Sequence, residues 1–540
     1  TLFPVIPKVG DVSTTYGAAS TPTVYNSDGS VKTPGTYNSQ YPYYARQGNC
    51  DPANVYSGIA IRWSYTNAVC SNGKVPNGAL MNTIYTNFAP RFGISYSPTA
   101  KTVVRTGFGI FYTQDIGNAY FDMARNIAGR VTVNNANAAP GNASNLTWAN
   151  ATPGATGTST VTLANNTVAF SNATTHHTSY TEQFLLNIQQ QVGRNWSFEA
   201  GYQGALSRHL YGFFNANQPS PYGVLGSPLG YSVVAAPTGS CPSCTKVSIT
   251  TLASREPFQN VLSGAQMVHD EGTGNYNAGS VKANRRFSKG LDLTASYTYS
   301  KSLDDTSGVR NQGNDLLNAQ NGLCIPCEYG PSAFDVRNRV VVSGLYELPI
   351  GPGKLVPLNN KLVNALIGGW QVGGTFTHQR GQVETPQYGG DNSGLGNLFG
   401  NFDRPNVTGT SPYLPCNTMT VESCLSKAAY SQPGVVVNVT TQNASTGVIS
   451  TNPTNIGGLW GNATRGSLHG PGLTNLDASL HKSFVMPYSE HHHLDIRFEA
   501  FNALNHPNWT LPNANYSSSS FGQVGAGGMR QLQLAGKYQF

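Results

Sequence analysis

Charge is scarce in this 540-residue chain: Asp, Glu, Lys and Arg make up 11% of it, less than half of the ~25% usual in soluble domains. No apolar run reaches the ~18 residues of a spanning helix, which excludes a helical membrane anchor within the chain. The formal net charge of +7 is spread thinly, with no block of Lys and Arg of the kind that tracks phosphates, which argues against nucleic acid as a partner. The chain starts at Thr1 with neither a basic n-region nor an apolar h-region. A segment is therefore expected upstream, either a signal peptide alone or the first part of a longer protein.

What fills the gap left by charge is Gly (60 residues), Tyr (28) and abundant Asn, Ser and Thr, a composition of strands and turns. The carboxy-terminal residues Gln531 to Phe540 show how it is used. Leu532, Leu534, Gly536, Tyr538 and Phe540 fall on one face, and Gln531, Gln533, Lys537 and Gln539 on the other. This is the period of a strand with lipid on one side and water on the other, and a soluble edge strand ending on an exposed Tyr-x-Phe would invite aggregation.

The same period recurs in eleven segments. Their apolar faces run Phe92 to Tyr96, Val104 to Tyr112, Phe184 to Ile188, Trp196 to Tyr202, Asn277 to Phe287, Leu291 to Tyr299, Val340 to Leu348, Trp370 to Phe376, Leu476 to Phe484, Leu494 to Ala500, and the terminal strand. Short and long connections alternate between them, with a short helix expected over Leu362 to Ile367. The implied fold class is all-β, an antiparallel transmembrane β-barrel with long extracellular loops, its strands about nine to eleven residues long. With the carboxy terminus on the periplasmic side, every short turn lies inside and every long segment outside. Residues 1–86 then read as an extracellular loop region holding a small strand over Ile59 to Tyr65, and 87–540 as the barrel. An odd strand count, with the first strand descending, implies that further strands precede it, since single-chain bacterial barrels have even counts.

All eight cysteines fall in the long segments, as the local couples Cys50 and Cys70, Cys241 and Cys244, Cys324 and Cys327, and Cys416 and Cys424. An even count in outer segments suits disulfides in an oxidising compartment, and the chain-entropy model assigns about 3 kcal/mol to closing the Cys50–Cys70 loop. A zinc site built from the two Cys-x-x-Cys pairs is disfavoured, because they lie about 80 residues apart with no flanking His.

Several segments resemble a known family. Asn87-Phe-Ala-Pro-Arg-Phe-Gly-Ile-Ser-Tyr96, the Arg285 to Asp304 segment, Asp335-Val-Arg-Asn-Arg339, Gly368-Gly-Trp-Gln-Val372 and Phe498-Glu-Ala-Phe-Asn-Ala-Leu-Asn-His-Pro507 resemble the β-barrel part of Oar-like TonB-dependent outer-membrane transporters. The resemblance implies a barrel of about 22 strands, of which eleven are half, with a plugged lumen. It also implies an amino-terminal plug through which the TonB complex acts, uptake or sensing of a bulky solute, outer-membrane lipid as surroundings, and recognition of the terminal strand, Tyr538 and Phe540 included, by the barrel-assembly machinery. No enzymatic activity, cofactor or metal is implied.

The candidate lumen-facing residues are Arg105, Glu199, Asp292, Asp477, Arg497 and Glu499, alternating with the apolar set; wall pairing across strands is an equally good role for them. Tyr96, Tyr112, Trp196, Tyr202, Tyr297, Tyr299, Trp370 and Tyr538 suit aromatic girdles. His491, His492 and His493 read as a polar inner turn, since ligands on one short turn rarely close a coordination sphere; His176 and His177 read the same way. Asp304 and Asp305 read as a solvated rim rather than an acid/base pair. Two other readings fit the same features: a structural or adhesive surface barrel without transport, and a secreted soluble β-rich protein whose apolar faces a second sheet would cover.

Overall fold

The computed structural model describes residues 24–25, 31–33, 83–113, 131–134, 160–163, 170–172, 177–215, 218–219, 221–223, 230–255, 266–308, 319–322, 324–396, 403–414, 424–486 and 488–540. The expected strand over Ile59 to Tyr65, and Cys50, Cys70 and Cys416, lie outside these residues.

Eleven strands form one antiparallel meander in which each pairs with its neighbours in sequence. They are β1 (Arg91–Thr99), β2 (Thr102–Tyr112), β3 (Tyr180–Val192), β4 (Trp196–Asn215), β5 (Gln266–Ser288), β6 (Leu291–Asp304), β7 (Asn338–Glu347), β8 (Gln371–Gln379), β9 (Leu473–Met486), β10 (Ser489–Phe501) and β11 (Gln531–Gln539). All eleven coincide with segments of period 2. Among the described residues no helix is long and apolar enough to cross a membrane.

Register carries the alternation across the whole sheet. One row of directly opposed residues runs Tyr96, Val104, Ile188, Ala200, Val281, Tyr297, Val340. Another runs Leu291, Tyr346, Val372, Leu480, Phe498, Leu534. The opposite face carries Ser197, Asn284, Thr294, Ser343, Thr375 and Asp477 in one row. A slip of one residue in any strand would exchange its two faces, so the pattern fixes the pairing. The apolar face is bare: Phe92, Ile94, Tyr96, Val281, Leu532 and Leu534 are all exposed. A sheet that leaves this face uncovered by protein needs an apolar solvent against it. Where that face lacks a side chain at Gly204, the ring of Phe184, its partner on β3, leans over the gap, so closely that a Cβ there would lie 2.4 Å from the ring.

The short connections gather at one end. Lys289 (φ 51°) and Gly290 (φ 78°) both take the left-handed backbone that a two-residue hairpin loop between twisted strands demands. Between β7 and β8 the turn is longer and contains the expected helix, Lys361–Ile367, capped by the Asn360 side chain, which accepts from the amides of Leu362 (2.9 Å) and Val363 (3.2 Å). Tyr96, Trp196, Trp370 and Tyr538 lie at this end, Tyr112 and Tyr299 toward the other; Tyr202 and Tyr297 sit midway along their strands.

Two expectations about the strands need correction. β4 and β5 are 20 and 23 residues long, far beyond the length that spans an apolar band. Their pairing continues past the band into water, where nothing enforces alternation, so periodicity registers only the lower part. The histidine triplet is not a turn: His491, His492 and His493 open β10, and His493 pairs with Val485. The turn is shorter than the run of polar residues implies.

The outer edges of β1 and β11 are unpaired among the described residues. A small buried cluster, Tyr211, Phe213 and Val268, sits on the upper parts of β4 and β5, and the larger packed core lies in the long connections. Leu425, Ala429, Tyr430, Ala463, Leu468, Ala514 and Phe521 form a buried cluster from the β8–β9 and β10–β11 connections, with Tyr516 packed against it. Tyr430 and Phe521 meet edge to face at 5.9 Å between ring centres. Burial of each large side chain here contributes about 1.5–3 kcal/mol, which folds these loops into a cap.

Candidate functional site

The six candidate charged residues share the polar face. Arg105 opposes Asn187 and reaches diagonally to Gln189, its Nη1 donating to Oε1 at 3.0 Å. Glu199 stands between Gln189 and Lys282 in register, and Asp292 opposes Leu345. Asp477 opposes Thr375 and accepts from the Asn475 side chain (3.0 Å) and the Asn502 amide (2.9 Å). Arg497 and Glu499, two apart on β10, form an ion pair at 3.4 Å that is open to solvent on the arginine side. These side chains line one wall without converging on a catalytic constellation.

Convergence occurs above, in the cap. Asp304 ends β6 and is 3% exposed, which overturns its reading as a solvated rim residue. The guanidinium of Arg465, from the β8–β9 connection, donates to Asp304 Oδ1 at 2.7 Å and to its carbonyl at 2.8 Å. The other Arg465 nitrogen donates to Ser307 Oγ at 2.5 Å, and Ser307 in turn donates to Asp304. Asp305 is also buried and accepts from the amide (2.7 Å) and hydroxyl (3.0 Å) of Thr273 on β5; burial nevertheless raises its carboxyl above the usual range. The partner that burial requires lies 161 residues away in sequence, so no local pattern announces it.

A second clamp joins the same two connections. Glu328 lies in the 3-10 turn Ile325–Glu328, stapled by the Cys324–Cys327 disulfide, and pairs with Arg404. Gln320 braces both, accepting from the Arg404 amide (2.7 Å) and donating its own amide to Glu328 (3.0 Å). Asp335 is buried as well, accepting from the Ser302 amide and Arg337 Nε, each at 2.7 Å. A chain this poor in charge has thus placed several of its ion pairs where water is excluded, and each would be costly to break.

Two further carboxyls in the cap have no cation beside them among the described residues. Burial pushes Asp403 up to about 6, against hydrogen bonds from the Ser393 amide (2.5 Å) and hydroxyl (2.9 Å). Burial pushes Glu384 up to about 8, and its Oε2 has no hydrogen-bond partner among the described residues. Cys241–Cys244 and Cys324–Cys327 are disulfides with Cα separations of 5.4 and 5.3 Å, Cys424 is disulfide-bonded, and no described cysteine is free. The sequence reading missed Arg404, Arg465, Glu328 and Glu384, whose partners lie in other connections or are absent from their own neighbourhood in sequence.

Among solved structures, the chain is similar to the outer membrane transporter YddB from Escherichia coli, at 10% identity and a TM-score of 0.37, over 83% of this chain and 40% of YddB. It is similar to the siderophore receptor PiuA from Acinetobacter baumannii at 8% identity and 0.35, over 83% of this chain and 35% of PiuA. The FrpB iron transporter from Neisseria meningitidis gives 10% and 0.34, over 83% of this chain and 38% of FrpB. The chain spans less than half the length of each. No curated protein matches it in sequence. The family described as the outer membrane beta barrel domain matches residues 36–533. With a family match over most of its length and an eleven-strand meander bare on its apolar face, the chain belongs to the outer membrane beta barrel domain family and is a protein of the outer membrane.

Proposed function

We propose that the chain supplies half of the barrel of an Oar-like TonB-dependent receptor that takes up or senses a bulky solute. The observation that carries this reading is the pairing of a polar strand face, bearing Arg105, Glu199, Asp292, Asp477, Arg497 and Glu499, with a folded cap of outer connections above it. A polar lumen under a structured cap suits capture of a solute outside and its passage along the wall. In this reading residues 87–540 are the carboxy-terminal part of the barrel, 1–86 an outer loop region, and the plug that meets the TonB complex lies upstream. Cys416 is the partner of Cys424. No step of the reading calls for catalysis.

The test compares uptake of a solute panel by the native organism, by a strain deleted for this gene, and by a strain without TonB function. Loss of the same solute in both mutants is the expected result. Unchanged uptake with lost surface attachment would replace transport by the adhesive reading, to which the exposed Phe334, Tyr329 and Tyr413 on the outer connections give some support.

A further inference from the structure

Where β4 and β5 rise beyond the apolar band, their ladder is broken on both strands at once. Leu210 pairs with Gly272 and Arg208 with Thr273, leaving His209 as the extra residue on β4, while on β5 Asp270 and Glu271, between His269 and Gly272, stand against the single residue Tyr211. Bulges of this kind re-aim side chains. His209 adopts a φ of 57°, a left-handed backbone uncommon for a residue with a Cβ. The result is that its ring stacks on that of His177, which approaches from the segment before β3, with centres 4.4 Å apart and planes at 19°.

Asp270 ties the two rings together. Its Oδ2 accepts from the His177 amide and lies 3.0 Å from His177 Nδ1, while its main-chain oxygen lies 3.1 Å from His209 Nδ1. A carbonyl can only accept, so His209 Nδ1 carries the proton and Nε2 keeps its lone pair for another partner. Tyr211 completes the support by donating its hydroxyl to the His177 carbonyl at 3.0 Å. One ligand-capable atom from each of His177, His209 and Asp270 lies within 4.8 Å of the other two.

We infer that His177, His209 and Asp270 form a binding site for a divalent first-row transition ion such as Zn2+. Two imidazoles and a carboxylate match the nitrogen and oxygen preference of such ions, whereas Ca2+ and Mg2+ favour oxygen alone. The carbonyl on His209 Nδ1 is the outer partner that orients a ligating imidazole. Three protein ligands leave a position for water or for a donor group of an incoming molecule. His177 is exposed on the outer side, so the ion is reached from the medium. The site stands whether or not the barrel transports.

The histidine triplet of β10 is the competing zinc binder, so the test begins from the full-length protein in detergent micelles carrying His491→Ala, His492→Ala and His493→Ala. Zn2+ calorimetry and Co2+ absorption are then compared with and without His209→Asn or Asp270→Asn. Asparagine tolerates the left-handed backbone, which keeps the bulge while removing the imidazole, and heat-modifiable gel mobility reports that the barrel is intact. One equivalent in the background, with affinity falling about tenfold or more and the Co2+ bands lost in either variant, is the expected result. No ion bound in the background, or binding indifferent to both substitutions, would reduce the cluster to a hydrogen-bonded His–Asp pair and overturn the proposal.

Discussion

Replacing Arg465 by alanine tests whether the cap is held by its buried charges. Arg465 and Asp304 have side chains 8% and 5% exposed, and the guanidinium also serves Ser307 and, at 3.4 Å, the Glu328 carbonyl. Its removal leaves a carboxylate buried without its cation, a change that costs about 3–5 kcal/mol. That cost falls on the end of β6 and on the contact between the β6–β7 and β8–β9 connections, and spares the strand ladder below Asp304. At about 1.4 kcal/mol per decade, local opening becomes roughly 100- to 4,000-fold more frequent. Hydrogen exchange at the amides of Ser332 and Ala333, which donate to Ser302 and Ser307 beside the pair, should speed up by that factor while β5 and β6 amides keep their protection. Arg465→Met combined with Asp304→Leu should recover most of the loss, because an apolar pair has no unmatched charge. Unchanged exchange in Arg465→Ala, or a double variant worse than either single one, would refute the reasoning.

Glu384 should make the cap sensitive to pH. Its carboxyl titrates near 8 when folded and near 4.5 when unfolded, so the folded state binds the proton more tightly. The resulting stabilisation is complete below about 4.5 and is lost as pH rises through about 8, where burial of the ionised form has to be met. Protease resistance of the cap should therefore fall over that window, and Glu384→Gln should flatten the profile; a profile identical in both proteins would dismiss the effect. Deleting Phe540, which is exposed and stacked on Tyr538 at 6.2 Å, should lower the amount of assembled barrel in outer membranes, and normal assembly would count against a signal in the terminal strand. Arg497→Ala and Glu499→Ala should reduce solute uptake without reducing barrel abundance; unchanged uptake assigns them to the wall. Peptide mapping without reduction should recover Cys416 joined to Cys424.

The sheet was legible because lipid enforces a simple rule. Every strand from Phe92 to Phe540 has to alternate, and an eleven-strand meander follows from eleven alternating segments joined in order. The rule ends at the membrane surface, which is why the upper part of β5, from Gln266 to about Tyr276, carried no signal, and why His491 to His493 passed for a turn. In the cap, position is decided by pairs such as Asp304 with Arg465 and Glu328 with Arg404, whose members are far apart in sequence. Asp304 beside Asp305 looks like a solvated doublet until the guanidinium arrives. The His177, His209 and Asp270 cluster was hidden for the same reason, together with a pair of bulges that no alternation can foreshadow.

The two clamps also set an order of events in biogenesis. Asp304 and Glu328 leave the membrane on one pair of strands, β6 and β7, and Arg404 and Arg465 on another, β8 and β9. Neither ion pair exists until both connections have crossed, and an unpaired arginine is expensive within hydrocarbon. Closure of the cap is thus the last step of inserting these four strands, and it makes their return to the periplasmic side require the rupture of two buried ion pairs.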